Sequence, residues 1–187
     1  MAWELKFMEW GKGWWSSPAL DLILPWATYL GSHLVVTGFM TIIYFIGRRS
    51  GANKKKRRFL PCPWGRLLFL YAVLSAIVYG LKFLIDRPRP FQVLGLAKLP
   101  HGPGEIIDPG FPSSHSTFAW MMATLLATWF PQYRILFYLL AAFIGWTRVY
   151  LFLHFPTDVI AGSLLGYGIT KIYLSSKVQR FIGSGFK

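Results

Sequence analysis

Lys82, Arg87 and Arg89 close one long apolar run, and Ser113, Ser114 and His115 open another. Arg148 and His154 end a third, and Asp158 begins a fourth. Ionisable side chains are costly beside hydrocarbon, so their gathering where apolar segments end points to function. Pro88 and Pro90 break the helix that carries Lys82, which presents Arg89 from extended backbone. Guanidinium and ammonium groups turned to one spot form a clamp for phosphate oxygens. The plainer reading pairs Lys82 with Asp86 at helical i,i+4 spacing and lets the arginines reach for water.

Pro112-Ser113-Ser114-His115 reads as a helix start. Serine caps such a turn, and the free amides of a helix N-terminus bind phosphate. His115, in that first turn, points toward the same anion; the plainer alternative is a simple capping segment. His154 and Asp158 flank Pro156, a residue suited to the first turn of the next helix. Asp158 is either an acid favoured at a helix N-terminus or the partner of His154. In the second case, a carboxylate bonded to one imidazole nitrogen sets the tautomer and leaves the other nitrogen free to attack. Arg148 then joins the clamp. The two imidazoles need opposite protonation, His154 neutral as nucleophile and His115 protonated as acid, which gives a bell-shaped pH–rate profile.

Positioning these groups falls to apolar helices. Of 187 residues, 54% are hydrophobic, and no polar linker or repeat divides the chain, so residues 1–187 form a single membrane-embedded domain. The expected fold is all-α, a polytopic transmembrane bundle of about six helices. The six segments are Pro18–Leu30, His33–Ile46, Leu67–Ile85, Ser116–Phe130, Ile135–Leu153 and Thr157–Leu174. Asp21 and Pro25 make the first the weakest. Before them, Trp3, Phe7, Trp10 and Trp14 make one aromatic face of a helix over residues 1–15. That helix either lies in the membrane interface or packs on the bundle.

The net charge of +13 is concentrated where Arg48, Arg49, Lys54, Lys55, Lys56, Arg57, Arg58 and Arg66 crowd one connection. Basic loops stay cytoplasmic, and no nucleic-acid recognition motif accompanies the charge, so nucleic acid is not expected as a partner. With that loop inside, Lys82–Arg89, Ser113–His115 and Arg148–Asp158 all reach the outer face. Both termini, with Lys177, Arg180 and Lys187, are expected on the cytoplasmic side. Cys62 has no intramolecular partner for a disulfide. No residue set has metal-ligand spacing, and neither metal nor cofactor is expected. His33 reads as interfacial. Lys98, His101, Glu105 and Asp108 read as solvated residues of an outer loop, and Gly162, Gly166 and Gly168 as points of close helix packing.

Lys82-(x6)-Arg89-Pro90, Pro112-Ser113-Ser114-His115 and Arg148-(x5)-His154-(x3)-Asp158 together resemble the three-part signature of the type 2 phosphatidic-acid phosphatase superfamily. The resemblance covers about 67–174, the expected catalytic core. It implies a metal-independent lipid phosphatase working through a phosphohistidine: His154 the nucleophile, Asp158 its orienting partner, His115 the acid for the leaving group. Lys82, Arg89, Ser113, Ser114 and Arg148 would hold the phosphoryl oxygens, with Arg87 as a headgroup contact. Ser114 stands where the family commonly has glycine and Thr147 where it has serine, which bears on substrate fit. The small size resembles bacterial envelope enzymes acting from the outer face of the cytoplasmic membrane. Their substrates include lipid A 1-phosphate, undecaprenyl diphosphate and phosphatidylglycerol phosphate, and the first two are favoured because many cations suit a multiply charged headgroup. The rivals are a phosphotransferase of the same family and a non-catalytic lipid-binding or transport protein. The latter is disfavoured, because transporters place charges near the midplane within paired repeats.

Overall fold

A computed structural model of the chain describes residues 2–50, 64–95 and 108–175. Lys54 to Arg58, Cys62, Lys98, His101, Glu105, Lys177, Arg180 and Lys187 lie outside the described residues. In chain order the helices are α1 (Ala2–Trp15), α2 (Pro18–Ala27), α3 (His33–Ser50), α4 (Trp64–Ile85), the single turn α5 (Pro90–Val93), α6 (Ser114–Trp129), α7 (Arg134–Tyr150) and α8 (Pro156–Leu174). Short 3-10 turns, Thr28–Gly31 and Pro131–Tyr133, join α2 to α3 and α6 to α7.

Local chemistry explains the boundaries that matter. Asp86 adopts a left-handed conformation, φ 45°, and its N–H donates to the Lys82 carbonyl at 2.9 Å. That closes α4 and turns the chain into Arg87-Pro88-Arg89-Pro90. Ser113 caps α6, its Oγ accepting from the Ser116 N–H, and Pro156 starts α8. Asp158, three residues past the cap, accepts the Phe155 N–H at 2.8 Å. Each boundary therefore delivers a polar side chain to the same end of the bundle.

Helix α6 runs through the middle. One cluster buries Leu70, Leu74, Phe118, Met121 and Leu125 between α4 and α6, with Met40 of α3 and Tyr173 of α8 beside them. At Gly162 and Gly166 a Cβ would collide with the carbonyls of Ser113 and Thr117, so these two glycines let α8 lie directly on the α6 backbone. Gly168 has open space where its Cβ would go and takes no part in that packing. The outer surface of the bundle is apolar: Leu34, Leu84, Leu139 and Leu164 are all exposed.

Five of the expected apolar segments correspond to α3, α4, α6, α7 and α8, of 16 to 22 residues. Among the described residues, the stretch Gly65–Val93 is long and apolar enough to cross a bilayer alone. Pro18–Gly31 and His33–Ile42 meet that test only as a pair bent by 55°. Pro18–Leu30 is therefore not a crossing segment of its own. Helix α2 has ten residues, about 15 Å of rise, half of a hydrocarbon layer of about 30 Å.

The expected placement of the N-terminus is also corrected. Helix α1 lies at the end of the bundle that holds Arg87 and Asp158, not at the opposite end, because Glu4 bonds both Arg87 and Thr157. Its aromatic face, Trp3, Phe7, Trp10 and Trp14, points outward, while Glu4, Met8 and Gly11 are buried against the bundle. The helix thus packs on the bundle and keeps an open aromatic face.

Candidate active site

All three polar pieces meet at one end of the bundle. Lys82 and Arg89 are buried, at 0% and 2% exposure. Lys82 Nζ donates to the Pro109 carbonyl at 2.5 Å and pairs with Asp108 Oδ2 at 2.9 Å. Asp108, and not Asp86, is its carboxylate. Arg89 donates from Nη2 to Asp108 Oδ1 at 2.8 Å and from Nε to the Asp108 carbonyl at 2.9 Å. Its Nη1 reaches the Leu153 carbonyl at 2.9 Å and His154 Nε2 at 3.2 Å. Burial pushes the Asp108 carboxyl up, yet Arg89 and Lys82 outweigh it and hold the group below the usual carboxylate range.

His154 is 1% exposed, in the turn between α7 and α8. Its Nδ1 lies 2.6 Å from the Gly110 carbonyl, an acceptor only, so Nδ1 carries the proton and Nε2 keeps its lone pair. Asp158 was expected to bond this imidazole. Asp158 Oδ2 lies 3.8 Å from Nδ1, beyond a hydrogen bond, and the Gly110 carbonyl sets the tautomer instead. Asp158 contributes a nearby negative charge. Burial, then Arg89, Arg148 and Lys82, hold His154 well below its ordinary value, so the ring is neutral.

Arg148 is 4% exposed and donates from Nη1 to Thr28 Oγ1 at 3.0 Å. Its buried Nε has no hydrogen-bond partner among the described residues. A charged donor left unmatched in the interior is costly, and it marks a place where an anion belongs. Thr147 also donates to Thr28, at 3.0 Å, so its hydroxyl supports the Arg148 side and does not face the clamp. Ser113 is fully buried and takes the Asp158 carbonyl through its N–H at 3.1 Å, which ties α6 to α8 at the site. Ser114 is the first residue of α6 and His115 follows it, half-buried, within electrostatic reach of Arg148, Arg89, Lys82 and His154.

Arg87, expected as a headgroup contact, is bonded within the protein. Its Nη1 donates to Thr157 Oγ1 at 2.7 Å and to Asp158, while Nη2 pairs with Glu4 at 2.5 Å. Glu4 Oε1 accepts from Thr157 Oγ1 at 2.7 Å. Burial raises the Glu4 carboxyl, but the bonds from Thr157 and Arg87 prevail and hold it below its usual range. His33 opens α3 with Nδ1 2.5 Å from the Tyr71 hydroxyl and Nε2 3.1 Å from that of Tyr79.

Sequence reasoning missed Asp108, Thr28, Glu4, Thr157 and the Gly110 carbonyl. A backbone acceptor has no signature in side-chain identity. Thr28 and Glu4 come from helices far from the three motifs in sequence, and only folding brings them near. Asp108 carried one signal, its position four residues before Pro112. Among the described residues, no three His, Cys, Asp or Glu side chains converge as metal ligands.

Comparison with known proteins agrees with this arrangement. The chain is 34% identical over 137 residues to a lipid A 1-phosphatase of Rhizobium johnstonii, covering 68% of this chain and 56% of the relative. It is 31% identical over 103 residues to the putative undecaprenyl-diphosphatase YbjG of Escherichia coli, covering 54% of this chain and 50% of the relative. The chain thus spans little more than half the length of these relatives. Its fold matches that of the transmembrane PAP2 type phosphatidylglycerolphosphate phosphatase of Bacillus subtilis, with a TM-score of 0.72 at 23% identity over 100% of this chain and 87% of the other. The PAP2 superfamily pattern matches residues 63–182, a stretch that contains Lys82, Arg89, His115, Arg148, His154 and Asp158. With most of its length matched and all three motif pieces inside the match, the chain belongs to the PAP2 superfamily.

Proposed function

We propose that the protein is an integral-membrane lipid phosphatase that removes a phosphoryl group from an amphiphilic phosphate through His154. One observation carries the proposal: a buried, neutral imidazole with Nε2 unprotonated stands beside buried cations, and one of these, Arg148, has an Nε without a partner among the described residues. The lone pair of Nε2 attacks phosphorus, and the phosphorus–oxygen bond to the lipid breaks. His115 gives its proton to the departing oxygen. Water then attacks the phosphohistidine, losing a proton to His115 and releasing inorganic phosphate. Lys82, Arg89, Arg148 and the start of α6 at Ser113–Ser114 face the charge on the equatorial oxygens. Asp158 offsets the positive charge of the phosphoimidazole.

The substrate is a phosphorylated membrane lipid, its headgroup in the polar end and its tails along the apolar bundle. A cleft of about 250 Å³ supports this, lined by Leu30, Phe39, Met122, Leu126, Phe137 and Ile144. It begins close to the acid: a Cβ on Gly31 would touch both Ile144 and the His115 backbone. Lipid A 1-phosphate is the first candidate, supported by the Rhizobium relative, then undecaprenyl diphosphate and phosphatidylglycerol phosphate. The site faces the exterior of the cytoplasmic membrane, with the basic connection inside.

Purified protein supplied with these lipids in a chelator should release inorganic phosphate; no release from any of them sinks the hydrolase reading. Phosphate passed to a second lipid, without release, would favour the phosphotransferase. For orientation, Val93→Cys and Glu9→Cys, each on a Cys62→Ser background, should both react with an impermeant reagent in intact cells. Labelling of either only after lysis would invert the topology.

A further inference from the structure

Every N–H of Arg89 is already engaged. Nε serves the Asp108 carbonyl, Nη1 serves Leu153 and His154, and Nη2 serves the Asp108 carboxylate with the Pro109 carbonyl at 3.5 Å. Lys82 gives one hydrogen to Pro109 and one to Asp108. The two carboxylate oxygens bridge the two cations, one to each, as two oxygens of a phosphoryl group would. Asp108 is nonetheless far less enclosed than its partners, at 38% side-chain exposure against 0% and 3%. Lys82 keeps a third hydrogen, but a phosphoryl group can bridge Lys82 and Arg89 only by displacing this carboxylate. Among the described residues, the Arg148 side has no such occupant.

We infer that Asp108 is a specificity-determining residue, an internal stand-in for phosphate that admits phosphomonoester and diphosphate headgroups and turns away phosphodiesters. The inference rests on the proposed role of Lys82 and Arg89 as a phosphoryl clamp. A site at the edge of a bilayer is surrounded by phosphodiester headgroups, each with one negative charge over two oxygens. Such a group brings no more charge to the clamp than Asp108 already supplies, and it must also leave water. A phosphomonoester dianion or a diphosphate brings more charge and more acceptor oxygens, so it displaces the carboxylate at a profit the diester lacks. Displacing Asp108 costs either ligand the same, so the carboxylate sets a threshold that the larger gain of a dianion clears and that of a diester does not.

The test compares wild type with Asp108→Asn and Asp108→Ala in detergent, using inorganic phosphate and a short-chain phosphatidylglycerol as probes. Binding is read by calorimetry and by thermal stabilisation, which do not depend on turnover. Both variants should bind the phosphodiester about tenfold tighter or more than wild type, by the size of a lost charge-assisted contact. Phosphatidylglycerol should also become an inhibitor of lipid-phosphate hydrolysis. Unchanged or weaker phosphodiester binding by both folded variants overturns the inference and leaves Asp108 as a group that merely positions the two cations. If wild type hydrolyses no lipid phosphate while the variants still gain phosphodiester affinity, competition at the clamp stands and the hydrolase reading fails. If wild type hydrolyses and the variants gain nothing, the reverse holds.

Discussion

The two sides of the site are built on opposite terms. On the Lys82–Arg89 side, every arginine donor has an acceptor, and Asp108 neutralises part of the charge. On the Arg148 side, Thr28 takes one donor and Nε has no partner among the described residues, although the guanidinium is as deeply buried. Both sides present the same charge to the same imidazole, so charge alone does not distinguish them. The satisfied side has its arginine donors covered by the protein's own acceptors. The open side is held ready for an oxygen, and the cost of its unmatched donor is returned only when an anion arrives.

Four measurements break or sharpen that contrast. His154→Ala removes the atom that both sides serve. It should abolish phosphoenzyme formation and lower turnover by about 10³-fold or more; full turnover in this variant would move the nucleophile elsewhere. Arg148→Ala should lower kcat by about 10²- to 10³-fold, the cost of losing a preorganised donor at the developing charge. A fall in affinity with kcat unchanged would make the open side a ground-state contact. Thr28→Val leaves Arg148 charged but frees one of its donors, and a loss of about tenfold in kcat/KM is expected from one charge-assisted bond. Were the loss equal to that of Arg148→Ala, the contrast would rest on Thr28 instead.

The smallest expected effect concerns pH. Burial and the cations around it depress the His154 value in the folded protein. The ring therefore stays neutral as the pH falls through the ordinary histidine value of about 6.5. Phosphoenzyme formation from free enzyme, followed by rapid quench, should show no acid limb from the nucleophile until well below that pH. A limb at the ordinary value would show that the cations do not act on the imidazole as the geometry requires.

The helices and the motif residues were legible in sequence for different reasons. Segments such as Leu67–Ile85 and Thr157–Leu174 announce themselves by apolar length, and the structure returns them within a few residues as α4 and α8. Pro88, Pro112 and Pro156 mark where the chain must leave or enter a helix, which is why the polar pieces fall at helix ends. Pro18–Leu30 was misread because hydropathy does not reveal a 3-10 break and a bend. Glu4 belongs to no motif in the sequence. Its burial depends on Arg87 and Thr157, partners no local pattern can supply. Asp158 was assigned to the imidazole by type and spacing, but spacing along a chain cannot choose between its 3.8 Å approach to His154 and its bond to Arg87.

The Glu4–Thr157 bond joins residues separated by 153 positions. A membrane protein is made from its N-terminus, so α1 emerges and waits while the other helices are inserted. Until α8 arrives, Glu4 lacks Thr157 and Arg87 lacks Asp158. The site is therefore among the last features of the molecule to be completed, and a chain halted before α8 carries cations and His154 without their final supports. Closing so long a loop adds only slowly growing entropy, but it places the finishing step after α8 has followed the other helices into the bilayer.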